Sequence, residues 1–126
     1  MDSKQETKAW RDVQKKGRWA DALRGLYVLI KTTSSFYMHI FVAVVVIFSG
    51  FYFKVSSVEW MMLVFAIGFV LVAETFNTAI EIDIDLTSPE YHPFARDTKD
   101  VAAAAVLLSV FVAVIIGLIV FIPKLF

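Results

Sequence analysis

Trp60-Met-Met-Leu-Val-Phe-Ala-Ile-Gly-Phe-Val-Leu-Val-Ala-Glu74-Thr-Phe-Asn77-Thr-Ala-Ile-Glu81-Ile82 is the stretch that decides the fold. From Met61 to Ala73 it carries no polar side chain. As a helix rising about 1.5 Å per residue, Trp60 to Ile82 is long enough to cross a hydrocarbon core of roughly 30 Å. The same run then turns acidic on one face. It is read as a transmembrane helix, with Tyr52 before it and Trp60 at its start placed like interfacial aromatics.

Two further spans flank it. Phe36 to Phe53 contains one ionisable residue, His39, and covers about 27 Å as a helix. Lys54 to Glu59 forms a short polar turn, so the first two spans make a hairpin. Val101 to Ile122 is uncharged, with Pro123 and Lys124 expected to stop it. Hydrophobic residues make up 59 % of the 126-residue chain, above the roughly 45–50 % of soluble domains.

Lys4, Lys8, Arg11, Lys15, Lys16, Arg18, Arg24 and Lys31 all precede the first span. The loop 83–100 holds Arg96 and Lys99, while Lys54 and Lys124 stand alone at the other side. The positive-inside rule therefore places the amino terminus and the second loop in the cytoplasm. Residues 18–32 repeat Trp19, Ala22, Leu23, Leu26, Tyr27 and Ile30 at helical spacing, the pattern of an amphipathic surface helix, and Gly25 suggests close packing there. Residues 1–17 are a polar segment. No linker or repeat divides the chain, which is expected to be one domain, 1–126. No apolar core lies early enough for a signal peptide. The absence of cysteine excludes disulfides, thiolate metal sites and cysteine nucleophiles.

Glu74, Asn77, Thr78, Glu81 and Asp85 share one face of the second helix, while Asp83 points the opposite way. Glu74 lies inside the membrane, where a carboxylate costs several kcal/mol and marks function. The structural alternative pairs it with a basic residue, or protonates it against Asn77. Carboxylates and an amide at the cytoplasmic boundary are the hard oxygen donors of Mg2+, which binds through few carboxylates plus substrate phosphates. In the loop Ser88-Pro-Glu-Tyr-His-Pro-Phe-Ala-Arg-Asp-Thr-Lys99-Asp100, Arg96 and Lys99 are placed to hold a polyphosphate. Alternatively they are ordinary positive-inside residues, with Asp97 or Thr98 capping the third span. The glycines at 17, 25, 50, 68 and 117 are isolated, so there is no Walker A loop or G-x-G-x-x-G turn. His39 and His92 do not suggest a metal pair.

The segment Glu74-Thr-Phe-Asn77-Thr-Ala-Ile-Glu81-Ile-Asp-Ile-Asp85-Leu-Thr-Ser-Pro-Glu90-Tyr-His92, continued by Lys99-Asp100-Val-Ala-Ala-Ala-Ala-Val106, resembles the prokaryotic diacylglycerol kinase and undecaprenol kinase family. Ala22-Leu-Arg-Gly25 and Phe36 to His39 also look like family positions. The resemblance implies an all-α integral membrane protein, a homotrimeric helical bundle that uses ATP and Mg2+ to phosphorylate a membrane lipid. It implies Glu74 and Asn77 as catalytic residues, and Glu81 and Thr33 at the metal. Arg18, Glu81, Glu90, Tyr91, His92, Lys99 and Asp100 are implied at ATP, and Arg24, Glu74 and Ala105 at the lipid. One departure stands out. Where most members carry Glu-x-Asn-x-x-x-His ending at His39, this chain has Thr33 and Ser35, so one metal-binding carboxylate is missing.

The expectation is an ATP- and Mg-dependent kinase acting on the primary hydroxyl of diacylglycerol or undecaprenol in the bacterial cytoplasmic (inner) membrane. It would serve phospholipid or lipid-carrier recycling. The Ser-Pro-Glu-Tyr-His loop leans slightly to the undecaprenol branch. No nucleic-acid partner is expected. The competing readings are a catalytically impaired homologue or other non-enzymatic membrane protein, and a proton or cation carrier built on Glu74. Three helices shield Glu74 poorly in a monomer, and Ala102 to Ala105 offer small side chains for helix contact, so self-association is expected on physical grounds.

Overall fold

The computed structural model describes residues 2–126, with side chains throughout that range except at 9, 10 and 12–16. Lys15 and Lys16, counted above among the basic residues, thus have side chains outside the described residues. The described residues form five helices and no strand: α1 (Ser3–Lys16), α2 (Arg18–Thr32), α3 (Ser34–Tyr52), α4 (Ser57–Thr87) and α5 (Pro93–Leu125). The chain forms two compact units, Met1–Thr32 and Thr33–Phe126. Each is taken by itself.

In the first unit, the polar segment turns out to be helical. The Asp2 side chain accepts from the Lys4 N–H at the start of α1, and Gly17 separates α1 from α2. Along α2, Trp19, Leu23, Leu26 and Tyr27 are exposed, and Lys31 lies over the Tyr27 ring at 4.9 Å. Among the described residues nothing lies within 4 Å of where a Gly25 side chain would begin.

In the second unit, α4 is the central helix, with α5 lying along it extensively and α3 more lightly. The connection from α3 to α4 is only Phe53 to Ser56, with Lys54 at a φ of 52°, in the left-handed region. Glu59, expected in the turn, already belongs to α4: the Ser56 hydroxyl accepts from its N–H while its carboxylate accepts from the Ser56 N–H, a capping box. At this end Val55, Leu63 and Val120 are buried, with Val46, Phe53, Trp60, Ile116 and Phe121 around them. The Trp60 ring lies so close to Gly50 that a Cβ there would meet it at 2.5 Å. Lys124 on α5 pairs with Glu59 at 3.0 Å.

At the other end both long helices outrun their expected bounds. α4 continues past Ile82 to Thr87 and α5 begins at Pro93, so the expected loop 83–100 contracts to Ser88–His92. Proline fits the first helical turn because its missing N–H would have no partner there. His92, not Asp97 or Thr98, is the cap, its Nδ1 accepting from the Phe94 N–H at 3.2 Å. At the far end α5 runs through Pro123 to Leu125 rather than stopping before it. With barely a turn of helix left, the lost hydrogen bond disturbs little.

α3, α4 and α5 are long and apolar enough to cross a membrane. Only 17 %, 33 % and 11 % of their most apolar windows is buried within the chain. Phe41, Phe48, Phe65, Leu107, Leu108 and Phe111 all face outward. An outward apolar surface this large belongs in lipid or against another helix, not in water. The protein is an all-α integral membrane protein.

Candidate functional site

The site grows from α4. If Trp60 begins a crossing of roughly 30 Å, Glu74 lies about 21 Å along and Glu81 just beyond the far boundary. Glu74, Asn77 and Thr78 are buried, at 4 %, 9 % and 5 % exposure, whereas Glu81 is exposed. The 100° step of the helix therefore yields a polar strip that runs from a buried carboxylate to an open one.

α3 supplies what the strip needs. The Ser35 hydroxyl donates to Glu74 Oε1, and His39 Nε2 stands 3.8 Å from Oε2. Ser35 and His39 are one turn apart, so one face of α3 reaches both oxygens of the buried carboxylate. Among the described residues Glu74 therefore meets Ser35 and His39 rather than an Arg, a Lys or Asn77. Asn77 instead donates from Nδ2 to Glu81 Oε1 at 3.2 Å. Its Oδ1 is buried and has no hydrogen-bond partner among the described residues. Thr33 Oγ1 and Thr78 Oγ1 are 2.8 Å apart, which explains why Thr33 precedes α3 without capping it.

Among the described residues no three His, Asp or Glu side chains gather into a metal cage. The donors present are one exposed carboxylate, Glu81, the unpartnered amide oxygen of Asn77, and the Thr33 hydroxyl. Such a sparse, all-oxygen set fits Mg2+, whose shell is normally completed by water and substrate phosphate.

Past the strip, Glu90, Tyr91, His92, Lys99 and Asp100 line one open hollow of about 410 Å3, with Asp85 and Arg96. Five of the residues expected at ATP are therefore brought together. Lys99 pairs with Asp85, and Arg96 Nε is 3.7 Å from Asp100. Ala105 is exposed on α5. Arg18 and Arg24 are exposed on α2, in the other unit.

A second hollow, of about 370 Å3, is almost wholly apolar. It runs between α3, α4 and α5 from Met38 and His39 past Val42, Ala66, Val70 and Val114 to Phe121. Its one polar wall is His39, the neighbour of Glu74. Sequence reasoning missed Ser35 and His39 as partners of Glu74, although their four-residue spacing and the lone ionisable group of the first span were visible.

The profile of the family described as prokaryotic diacylglycerol kinase matches residues 20–121. The chain belongs to that family. The prokaryotic diacylglycerol kinase match takes in α2 to α5 almost completely and leaves α1 outside. The chain is 39 % identical over 102 residues to the undecaprenol kinase of Bacillus subtilis (strain 168), covering 81 % of this chain and 83 % of that protein. It is 35 % identical over 97 residues to the diacylglycerol kinase of a Synechocystis strain, covering 76 % of this chain and 55 % of the relative. With the diacylglycerol kinase of Escherichia coli (strain K12) it shares 36 % over 61 residues, 48 % of this chain and 50 % of the other.

Proposed function

We propose that the protein is a lipid kinase that transfers the γ-phosphoryl group of ATP to the primary hydroxyl of diacylglycerol or undecaprenol, with Mg2+. The observation that carries this reading is the buried carboxylate of Glu74, hydrogen-bonded by Ser35 with His39 close by and continued by Asn77 and Glu81 towards the Lys99 hollow. Family membership and the names of the relatives support the reaction class.

In this mechanism the lipid hydroxyl reaches Glu74 from within the membrane. Glu74 takes its proton as the new oxygen–phosphorus bond forms and the bond to the β-phosphate oxygen breaks. Ser35 and His39 keep the carboxylate aimed. Glu81, Asn77 Oδ1 and Thr33 would hold Mg2+, which when bound would supply positive charge to offset that of the phosphates. Lys99 has three donors, so it can stay on Asp85 while meeting a phosphate, and Arg96 adds a second cation. Glu90, Tyr91, His92 and Asp100 frame the nucleotide. We assign Arg18, Arg24 and Ala105 to nucleotide and lipid contacts, as the family resemblance implies.

The family resemblance implies a homotrimer in the bacterial inner membrane, and the skewed basic residues support an amino terminus and a Ser88–His92 loop in the cytoplasm. α2, with its apolar residues outward, would lie on the membrane surface. The deciding experiment reconstitutes the purified protein with Mg-ATP and supplies diacylglycerol and undecaprenol separately. Phosphorylation of either lipid is expected, and of neither would overturn the reading. One observation favours a second reading, a catalytically impaired member: the Thr33 hydroxyl, at the position of an expected metal carboxylate, is engaged with Thr78. Failure to bind Mg-nucleotide by calorimetry, together with no turnover, would select it.

A further inference from the structure

α1 lies outside the family match and has no part in the site described above. Its charges are nonetheless ordered. With Lys4 at 0°, the helical step of about 100° puts Lys8 near 40° and Arg11 near −20°, and the sequence continues the register with Lys15 near 20°. Glu6 falls near 200°, on the opposite side, and Asp12 near 80°, at the stripe's edge. Asp2 is occupied in capping the helix. Ser3, Lys4, Thr7, Lys8 and Arg11 line one shallow surface hollow, so cations and hydroxyls converge on the same flank over about 12 Å of helix. Thr7 Oγ1 donates to the Ser3 carbonyl at 2.7 Å, which leaves its lone pairs and the two lysines and arginine facing outward.

We infer that this flank docks on the anionic phosphate headgroups of the bilayer. Two observations favour a lipid surface as the occupant. The flank is complementary in charge and hydrogen bonding to phosphate. It is tethered, since α1 is joined through Gly17 and the 15-residue α2 directly to α3, the first helix to enter the membrane. The inference rests on the protein being embedded in a membrane and not on its kinase activity.

The test uses the full-length protein in nanodiscs. The chain has no cysteine, so Gln5→Cys provides a single site for a nitroxide label beside the stripe. In discs of phosphatidylcholine mixed with phosphatidylglycerol the label is expected to be immobilised and shielded from a water-soluble relaxant, and in discs of phosphatidylcholine alone to be mobile. High salt frees it. Replacing Lys4, Lys8 and Arg11 together by Gln shifts the docked-to-free ratio by on the order of 100-fold, roughly fivefold per charge. Lys4→Arg with Lys8→Arg keeps the charge and keeps docking. Equal label mobility in both kinds of disc overturns the inference. So does loss of docking in the double Arg variant, or immobilisation in phosphatidylcholine discs when inorganic phosphate or RNA is added.

Discussion

Replacing Glu74 by glutamine keeps the shape of the side chain and removes its capacity to take a proton. The carbonyl oxygen of the amide still accepts from Ser35, so the bond between α3 and α4 at this level survives. A neutral amide is also easier to bury than a carboxylate at 4 % exposure, so the helices should stay folded. What is lost is general-base catalysis, typically 10²- to 10⁴-fold in rate, or about 3–5 kcal/mol on the barrier. Glu74→Asp retains the charge but withdraws it from Ser35 by one methylene, and misplacement of about 1 Å can cost 10²-fold. The assay is transfer of labelled phosphate from Mg-ATP to lipid in nanodiscs, with circular dichroism for helicity and calorimetry for nucleotide binding. Glu74→Gln should bind nucleotide like the parent and turn over at least about 100-fold more slowly. A variant that kept more than about a tenth of the parental rate would remove Glu74 as the base.

Ser35→Ala takes away the hydroxyl on Glu74 Oε1 and should lower kcat on the order of 10-fold while leaving KM for ATP in place, the mark of a positioning residue; a raised KM with unchanged kcat would contradict this. Lys99→Met should raise KM for ATP and slow transfer, yet shift thermal stability by less than about 1 kcal/mol, because its pair with Asp85 is largely exposed; unaltered kinetics would detach Lys99 from the nucleotide. Thr33→Glu breaks the contact with Thr78 and adds a carboxylate beside Glu81, so half-maximal activity should need less Mg2+; an unchanged Mg2+ titration would place Thr33 away from the metal. Gly50→Ala drives a methyl group into the Trp60 ring and should destabilise the hairpin of α3 and α4 by about 1–3 kcal/mol in thermal unfolding, and a neutral result would mean that the ring moves aside freely.

The three crossings were legible because a membrane demands a run of some twenty predominantly apolar residues, and Phe36 to Phe53, Trp60 to Ile82 and Val101 to Ile122 meet that demand without periodicity to weigh. The helix face from Glu74 to Asp85 followed from spacing alone. The ends of the helices did not. Polar residues from Asp83 to Thr87 and from Phe94 to Asp100 look like loop by composition, but a helix already begun extends cheaply into water, and Pro93 behind His92 restarts one at once. Contacts between helices were the other blind spot. Nothing local to Ser35 announces Glu74, 39 residues away, and the pairing depends on how α3 leans on α4.

The turn from Phe53 to Ser56 lies roughly 26 Å along α4 from Glu74, near the opposite end of the helix. Yet Ser35 and His39 meet Glu74 in one alignment of the two helices, and the turn, with Gly50 seated against Trp60, sets that alignment. The hairpin behaves like a pair of tongs whose grip is adjusted at the pivot. One residue added to the turn would slide or rotate α3 against its neighbour and part the two halves of the chemistry, with every polar side chain of the site left intact.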